Sequence, residues 1–379
     1  MITLEITALG PLLFRDARPF SGSHDETRAS SLAFPWPSTI ASMVRGVIAR
    51  QRRKNLKDAK VLDDLAGIHV KGYWFELDGK PVFAAPANSL VVGKNPSNPQ
   101  VSRLVPFELP DGWGCDMPDG LLPVHVEGAG GQDTESKPLR GYDLWPAVNT
   151  FHWLKGENDS PIGIEPPVVD QRVQIQLDPR TRAAADGKLF TVVYRDWDQI
   201  DTKELKHWRL IVEVEEAERE GVPEIAVGTR RLAHFGGERG QVGVTWGAST
   251  FPAPRKELRE KITSSKELVM QLATPAVFNH GWKAYWMDKP ERLDPALEDA
   301  ELVSACVNRP EAVSGWSLDP RSFGPKATKL AAPAGSTYFF RLKRRLDDKA
   351  LCRLWCKTVS DQQNDNNDGF GLALWGVWN

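Results

Sequence analysis

The stretch that most restricts this chain is its first fifty residues. Ile2, Leu4, Ile6 and Ala8 alternate with Thr3, Glu5 and Thr7. That is the period-two pattern of a strand with one buried face. Gly10-Pro11 ends it, and Phe14-Arg15-Asp16-Ala17-Arg18-Pro19-Phe20 follows as a basic loop. Phe34-Pro35-Trp36-Pro37 then leads to Ser38, whose hydroxyl is expected to cap a helix by accepting from a free first-turn amide. Ile40, Met43, Val44, Val47 and Ile48 recur at helical spacing and form one apolar face. Arg45, Arg50, Arg52, Arg53, Lys54 and Lys57 take the remaining face and the end. Any fold for this chain must therefore begin strand, basic loop, helix.

Further along, Val61 to Ile68 reads as a short helix, and Asp78-Gly79-Lys80 separates the apolar runs Val70–Leu77 and Pro81–Ala85. Asp-Gly between such runs marks a hairpin, because both positions tolerate positive φ. Strand, helix, strand, strand is the first part of a ferredoxin-like unit, the βαββαβ arrangement shared with RNA-recognition domains. Residues 86–170 are rich in Pro, Gly, Asn and Asp, with a glycine tip at Gly128-Ala129-Gly130-Gly131. They read as an insertion of short strands that reaches away from the core. Within it, Gly141 to Leu154 is aromatic-rich, either a local packed cluster or a partner or base-stacking surface.

Arg172-Val173-Gln174-Ile175-Gln176-Leu177 alternates as a strand, and Arg180 and Arg182 bracket a turn opened by Asp178-Pro179. Trp208 to Val214 is a strand, and residues 224–235 are compatible with a helix carrying Arg230 and Arg231. Phe235-Gly236-Gly237-Glu238-Arg239 then offers paired glycines, whose backbone can approach a phosphate, beside an arginine able to bind it bidentately. No Gly-Lys-Ser/Thr follows, so this is not a Walker loop. Strands are expected at Leu268–Leu272, Leu302–Val307, Ser336–Lys343 and Gly369–Trp378. Ser314-Gly315-Trp316 reads as a turn.

At 379 residues, with 41% hydrophobic and 26% charged residues, two globular domains are expected. No run approaches the ~20 apolar residues of a membrane span. The N-terminus lacks a basic-then-apolar leader, so the cytoplasm is the expected compartment. Cys115, Cys306, Cys352 and Cys356 form neither a disulfide framework nor a zinc pattern. They are expected to be buried thiols, the last two on one side of a helix. Net charge is −2, yet residues 1–60 hold ten Lys/Arg against five Asp/Glu, +5 on a body of −7. That distribution fits local capture of a phosphate backbone, or a solvated helix face. His24 follows the basic loop; the remaining histidines form no motif. No metal, cofactor or catalytic set is expected.

Several of these islands carry a resemblance. The segments 14–20 and 34–39 with Arg45, then 172–190, 236–239, 334–340 and 369–376, resemble the third-subunit family of the Cmr complex. Cmr is the type III-B CRISPR effector, and that family lies in the RAMP superfamily. The resemblance implies an α+β chain of two ferredoxin-like (RRM-like, βαββαβ) domains with long loop and hairpin insertions. They would span 1–190, with an insertion at about 86–170, and 191–379. It implies a non-catalytic, antiviral subunit that holds the 5′ handle of the guide RNA (crRNA). Its implied protein partners are the large polymerase-like subunit and the backbone RAMP subunit, with target RNA met only indirectly. Arg15, Arg18, Arg45, Arg172, Arg180, Arg182, Gly236, Gly237 and Arg239 are the implied RNA contacts. Two alternatives stand beside this. One is a guide-processing ribonuclease using His24, as in some RAMP relatives. The other is a bridge that touches only protein.

Overall fold

A computed structural model describes residues 2–18, 20, 27–56, 58–93, 99–118, 120–127, 137–159, 163–201, 204–215, 226–317 and 319–378. His24 and the glycine tip Gly128–Gly131 lie outside the described residues. The chain is a mixture of largely antiparallel sheets and a few helices, divided between two interleaved compact units. One takes Met1–Gly79, Pro166–Thr250 and Ala312–Lys329; the other takes Lys80–Glu165, Phe251–Glu311 and Leu330–Asn379. Position 190 falls within a strand of the first unit, Ala184–Asp196. Among the described residues, no helix is long and apolar enough to cross a membrane.

In the first unit the opening strand β1 (Ile2–Ala8) is central. It pairs antiparallel with Glu204–Glu215 on one side and with Gln241–Gly247 on the other. Its alternation puts Leu4 and Ile6 inside, both essentially inaccessible. His69–Leu77 pairs beyond Glu204–Glu215, and Arg230–His234 beyond Gln241–Gly247. Numbering the four principal strands along the chain, their order across the sheet is fourth, first, third, second. The strand His69–Leu77 ends at Asp78 and Gly79, whose φ values of 51° and 75° are those the Asp-Gly turn requires.

Helix α1 (Pro37–Gln51) follows the basic loop, and Ile40, Met43, Val44, Val47 and Ile48 are all buried. Its start differs from expectation. Pro37 is the first helical residue and Trp36 the cap, with no side chain bonding the first-turn amides. Proline at that position gives up an amide that has no partner within the helix and already has helical φ, so Ser38 falls inside the helix. Helix α2 (Ala59–Ala66) is capped by Asp58, which accepts from the amide of Lys60. The helix expected at 224–235 is corrected: Arg230–His234 is a strand. The edge of Gln241–Gly247 needs hydrogen-bond partners, and that pairing outranks local propensity.

The second unit is built on Glu267–Leu272, flanked antiparallel by Thr337–Leu342 and Ala373–Val377, with Ala300–Cys306 outside Thr337–Leu342. Counted along the chain, these four strands repeat the order fourth, first, third, second. Tyr338, Phe339, Phe340 and Trp375 fill its core. The expected buried thiols are found only in part: Cys306 and Cys356 are half-buried, and Cys115 is exposed. Cys352 is exposed, and Cys356 lies past the helix Asp348–Leu354 with φ 59°. Its amide is drawn out of the helix by the carbonyl of Ala373 at 2.9 Å.

Residues 86–170 contain the expected short strands, Ser89–Val92, Gln100–Pro106, Val124–Val126 and Leu144–Pro146, but also a helix, Ala147–Leu154. This part does not reach away from the core. Leu154 packs so closely on the last strand that a Cβ on Gly376 would lie 2.3 Å from its carbonyl oxygen. The aromatic run is a packed cluster, with Trp145 and Trp153 edge to face at 5.5 Å. Arg103 lies beneath Trp153, its guanidinium 3.7 Å from the ring centroid. It donates to the carbonyls of Trp153 (2.8 Å) and Glu157 (3.2 Å) and to Oδ1 of Asn158 (3.3 Å). Burial pushes this guanidinium down to about 10, against the opposing pull of Glu127, so it stays charged at neutral pH.

Arg103→Ala therefore strips buried acceptors of their donor and opens a void under Trp153. We expect a loss of about 3 kcal/mol, read as a lower urea midpoint. A second effect depends on pH. Asp294 is 3% exposed and accepts two bonds of 2.8 Å from Arg353 and one of 2.9 Å from the amide of Ala296. The bond from Arg353 holds its carboxyl below the ordinary 3.8. The unfolded chain takes up this proton more readily, so the stabilisation is complete above that value and lost as pH falls through the folded one. Unfolding midpoints at acid pH should fall more steeply for the native chain than for Asp294→Asn.

Candidate nucleic-acid interface

The basic loop leaves β1 and is fixed from both sides. The amide of Leu12 donates to the carbonyl of Arg195, and that of Arg195 donates back, each at 2.8 Å. Leu32 donates to the carbonyl of Phe14 at 2.7 Å, and Phe14 donates to Oγ of Ser31 at 2.9 Å. Leu13 and Phe14 turn inward, so Arg15, Ala17 and Arg18 face solvent. Arg15 donates through Nη2 to the carbonyl of Arg18 at 3.1 Å and lies 5.2 Å from the Phe20 ring centroid. Arg18 pairs with Asp16 at 2.6 Å while its side chain stays 76% exposed. An ion pair so open to water is held weakly and is readily exchanged for another anion.

The glycine-rich loop packs directly under this turn. Gly236 has φ 79°, and a Cβ there would lie 2.5 Å from the Leu13 carbonyl oxygen. The same oxygen accepts from the amide of Gly237 at 2.8 Å. Phe235 meets Phe14 edge to face at 5.0 Å. The paired glycines thus let two backbones touch, and the Gly237 amide is spent on Leu13 rather than left for a ligand.

Together these segments form one side of a cleft of about 800 Å³ within the first unit. Arg15, Asp16 and Arg18 line it, with Gly236 and Gly237 behind them and Ser38, Thr39 and Ser42 of α1 opposite. The first turn of α1 carries no acidic residue, so its positive end is left uncompensated. The remaining wall was not foreseen. It is a small hairpin of Trp316–Ser317 and Gly324–Pro325, contributing Trp316 and Lys326. The only sequence signal was a turn at Ser314-Gly315-Trp316, and no pattern relates it to residues three hundred positions earlier.

The other expected contacts go elsewhere. Arg45 reaches the end of α2, donating to the carbonyls of Ala66 and Ile68 at 3.4 and 3.1 Å. Arg172 is on the ribbon formed by Val168–Leu177 and Ala184–Asp196, bonded to Asp170 at 2.7 Å and 5.2 Å from the Tyr194 ring centroid. Arg180 and Arg182 are exposed at the ribbon's turn, where Asp178 accepts from the amides of Arg180 and Thr181. Arg239 is exposed beside the glycines, with φ 54°, outside the cleft lining. Among the described residues, no group of three or more His, Cys, Asp or Glu is placed to hold a metal.

The close approach at Leu13 makes a measurable difference between two glycines. Gly228 also has positive φ, 88°, but a Cβ there meets nothing within 4 Å. Gly228→Ala should cost about 1 kcal/mol of backbone strain. Gly236→Ala must in addition push the loop off Leu13 and should cost roughly 1–3 kcal/mol more, read as the difference between their urea midpoints.

Residues 4–378 match the family described as CRISPR-associated protein (Cas_Cmr3). No curated protein matches the chain. Among solved structures, it is similar to a chain of the type III-B Cmr-beta bound to cognate target RNA. That match has 14% identity over 98% of this chain and 96% of that one, at a TM-score of 0.46. A chain of the same assembly bound to cognate target RNA and AMPPnP, state 1, gives 15% identity over 89% and 86%, at 0.45. A chain of the apo state gives 10% identity over 65% and 97%, at 0.26. With the family model spanning nearly its whole length, the chain belongs to the Cas_Cmr3 family of CRISPR-associated proteins and is a Cmr subunit.

Proposed function

We propose that this subunit is a non-catalytic RNA-binding component that holds the 5′ handle of the guide RNA in the cleft beside the arginine turn. The observation that carries the proposal is the placement of Arg15 and Arg18. Both are solvent-facing, both line the cleft, and the backbone under them is fixed by Gly236 and Gly237. Guanidinium groups on a rigid turn suit phosphate oxygens, for which they offer paired donors. The uncompensated end of α1 across the cleft favours the same sign of charge. The described lining residues of the cleft offer cations and aromatic surface. Among its described lining residues the imidazole present is that of His234, exposed, with Nδ1 3.4 Å from the carbonyl of Arg239. Arg172, Arg180 and Arg182 on the ribbon, and Arg239 beside the glycines, would extend contact along the RNA. Arg45, turned to α2, would act through the helix it steadies.

The same reading takes each unit as ferredoxin-like, the fold used by RNA-recognition domains. It is supported by the fourth, first, third, second strand order in both sheets and by α1 following the first strand. The role extends to docking the large polymerase-like subunit to the RAMP backbone, with target RNA met through the guide.

Binding to a labelled single-stranded RNA carrying the handle should weaken steeply with salt, because phosphate contacts release counterions. Arg15→Ala with Arg18→Ala should lower affinity at least about tenfold at low salt and flatten the salt slope by about 0.7 for each phosphate no longer neutralised. Equal affinity and slope for the native and double-variant chains would refute this assignment.

A further inference from the structure

We infer that the indole of Trp316 is a stacking platform for one unpaired nucleobase of the bound RNA; this rests on the cleft being the RNA site. Trp316 is 58% exposed and Phe323, its neighbour in the hairpin, is 68% exposed. Their rings meet edge to face at 5.8 Å and 84°. A T-shaped contact engages at most one face of the indole, so a broad apolar surface stays open to water. Contiguous apolar surface left open to water is a mark of binding sites, whereas single exposed apolar residues are ordinary.

The ring is also held in place. Lys326 donates its amide to the carbonyl of Gly315 at 2.8 Å, closing the hairpin behind Trp316. Asp319 accepts from the amide of Arg321 at 2.9 Å and shapes the tip. Arg321 then spans to α2, giving two bonds to the Asp63 carboxylate at 2.7 and 3.1 Å while keeping Asp319 on its Nε. The indole is thus presented on a braced element, and little freedom is lost when a planar ligand covers it.

Its surroundings select the ligand. Trp316 lines the same cleft as Arg15, Arg18 and Lys326. A site that pairs an open π face with several cations suits a molecule that is flat at one end and anionic at the other. A nucleotide of single-stranded RNA has that form, the base covering the ring and the phosphate meeting the cations. An acidic protein segment would satisfy the cations but leave the indole face without a planar partner.

The test uses the full-length chain and a labelled single-stranded RNA carrying the handle, with affinity measured across a salt series. Trp316→Ala should weaken binding roughly 5- to 150-fold, the range for one stacked base. It should leave the salt slope unchanged, since every phosphate keeps its cation. Trp316→Phe should restore most of the affinity. When an abasic nucleotide is walked along the handle, one position should weaken binding to the native chain, and there Trp316→Ala should cost nothing further. The variant's urea midpoint should match the native one, because the ring is largely outside the core. If Trp316→Ala binds every RNA as the native chain does while Arg15→Ala weakens binding, stacking is wrong and the cleft assignment survives. If Trp316→Ala leaves RNA binding intact but abolishes association with another Cmr subunit, the ring is a protein contact and the inference falls. If neither variant alters RNA binding, the cleft assignment falls and the inference with it.

Discussion

The first unit depends on a carbonyl oxygen. Leu13 accepts from the amide of Gly237 at 2.8 Å while Gly236 passes so close that a single added carbon would sit 2.5 Å away. Two loops more than two hundred residues apart in sequence are brought to backbone contact there. Side chains cannot produce that approach; only their absence can. With the glycine loop seated, Phe14 and Phe235 close over the contact, and the chain just beyond has one way to run. Arg15 and Arg18 then point away from the core because Leu13 and Phe14 point into it. A charged turn acquires a fixed aim from an apolar anchor beneath it.

That arrangement reconciles an acidic chain with a basic surface. The overall charge of −2 would repel a polyanion weakly at long range, where salt already screens it. What matters near the cleft is the local excess contributed by the opening segment. Asp16 tempers it by holding Arg18 in place, and the pair is exposed enough that a phosphate can take over the guanidinium at small cost. The positive end of α1 adds a directional component that no count of charged residues would reveal.

Much of this was legible in the amino-acid sequence, for identifiable reasons. β1 and α1 carry strong and different periodicities, so both were read with nearly correct bounds, and the five apolar residues named for the helix face are all buried. The strands at 268–272, 302–307 and 336–343 were likewise plain from runs of apolar and β-branched residues. Errors arose where a long-range partner decided the outcome. Arg230–His234 became a strand because a neighbouring edge needed hydrogen bonds. Cys356 left its helix because the carbonyl of Ala373 competed for its amide. Pro37 displaced Ser38 from the cap, a local effect that proline's geometry should have signalled. In the cleft, Arg15, Arg18 and the two glycines were named from sequence; what the fold adds is that the glycines serve backbone packing on Leu13. The place of Trp316 in the cleft could not be found in advance, since it depends wholly on where the hairpin is carried by the fold.

The interleaving of the two units has a consequence for how the chain is made. The first unit needs its last segment, Ala312–Lys329, and the second its own last, Leu330–Asn379. A polypeptide leaving the ribosome therefore carries most of both units before the first possesses all its parts, and the usual vectorial order, one module maturing while the next is translated, is closed to it. No single cut in the gene yields two self-sufficient halves. The wall of the cleft that bears Trp316 is synthesised about three hundred residues after Arg15 and Arg18, so a nascent Cmr subunit truncated before that point would carry its arginines without the surface that faces them.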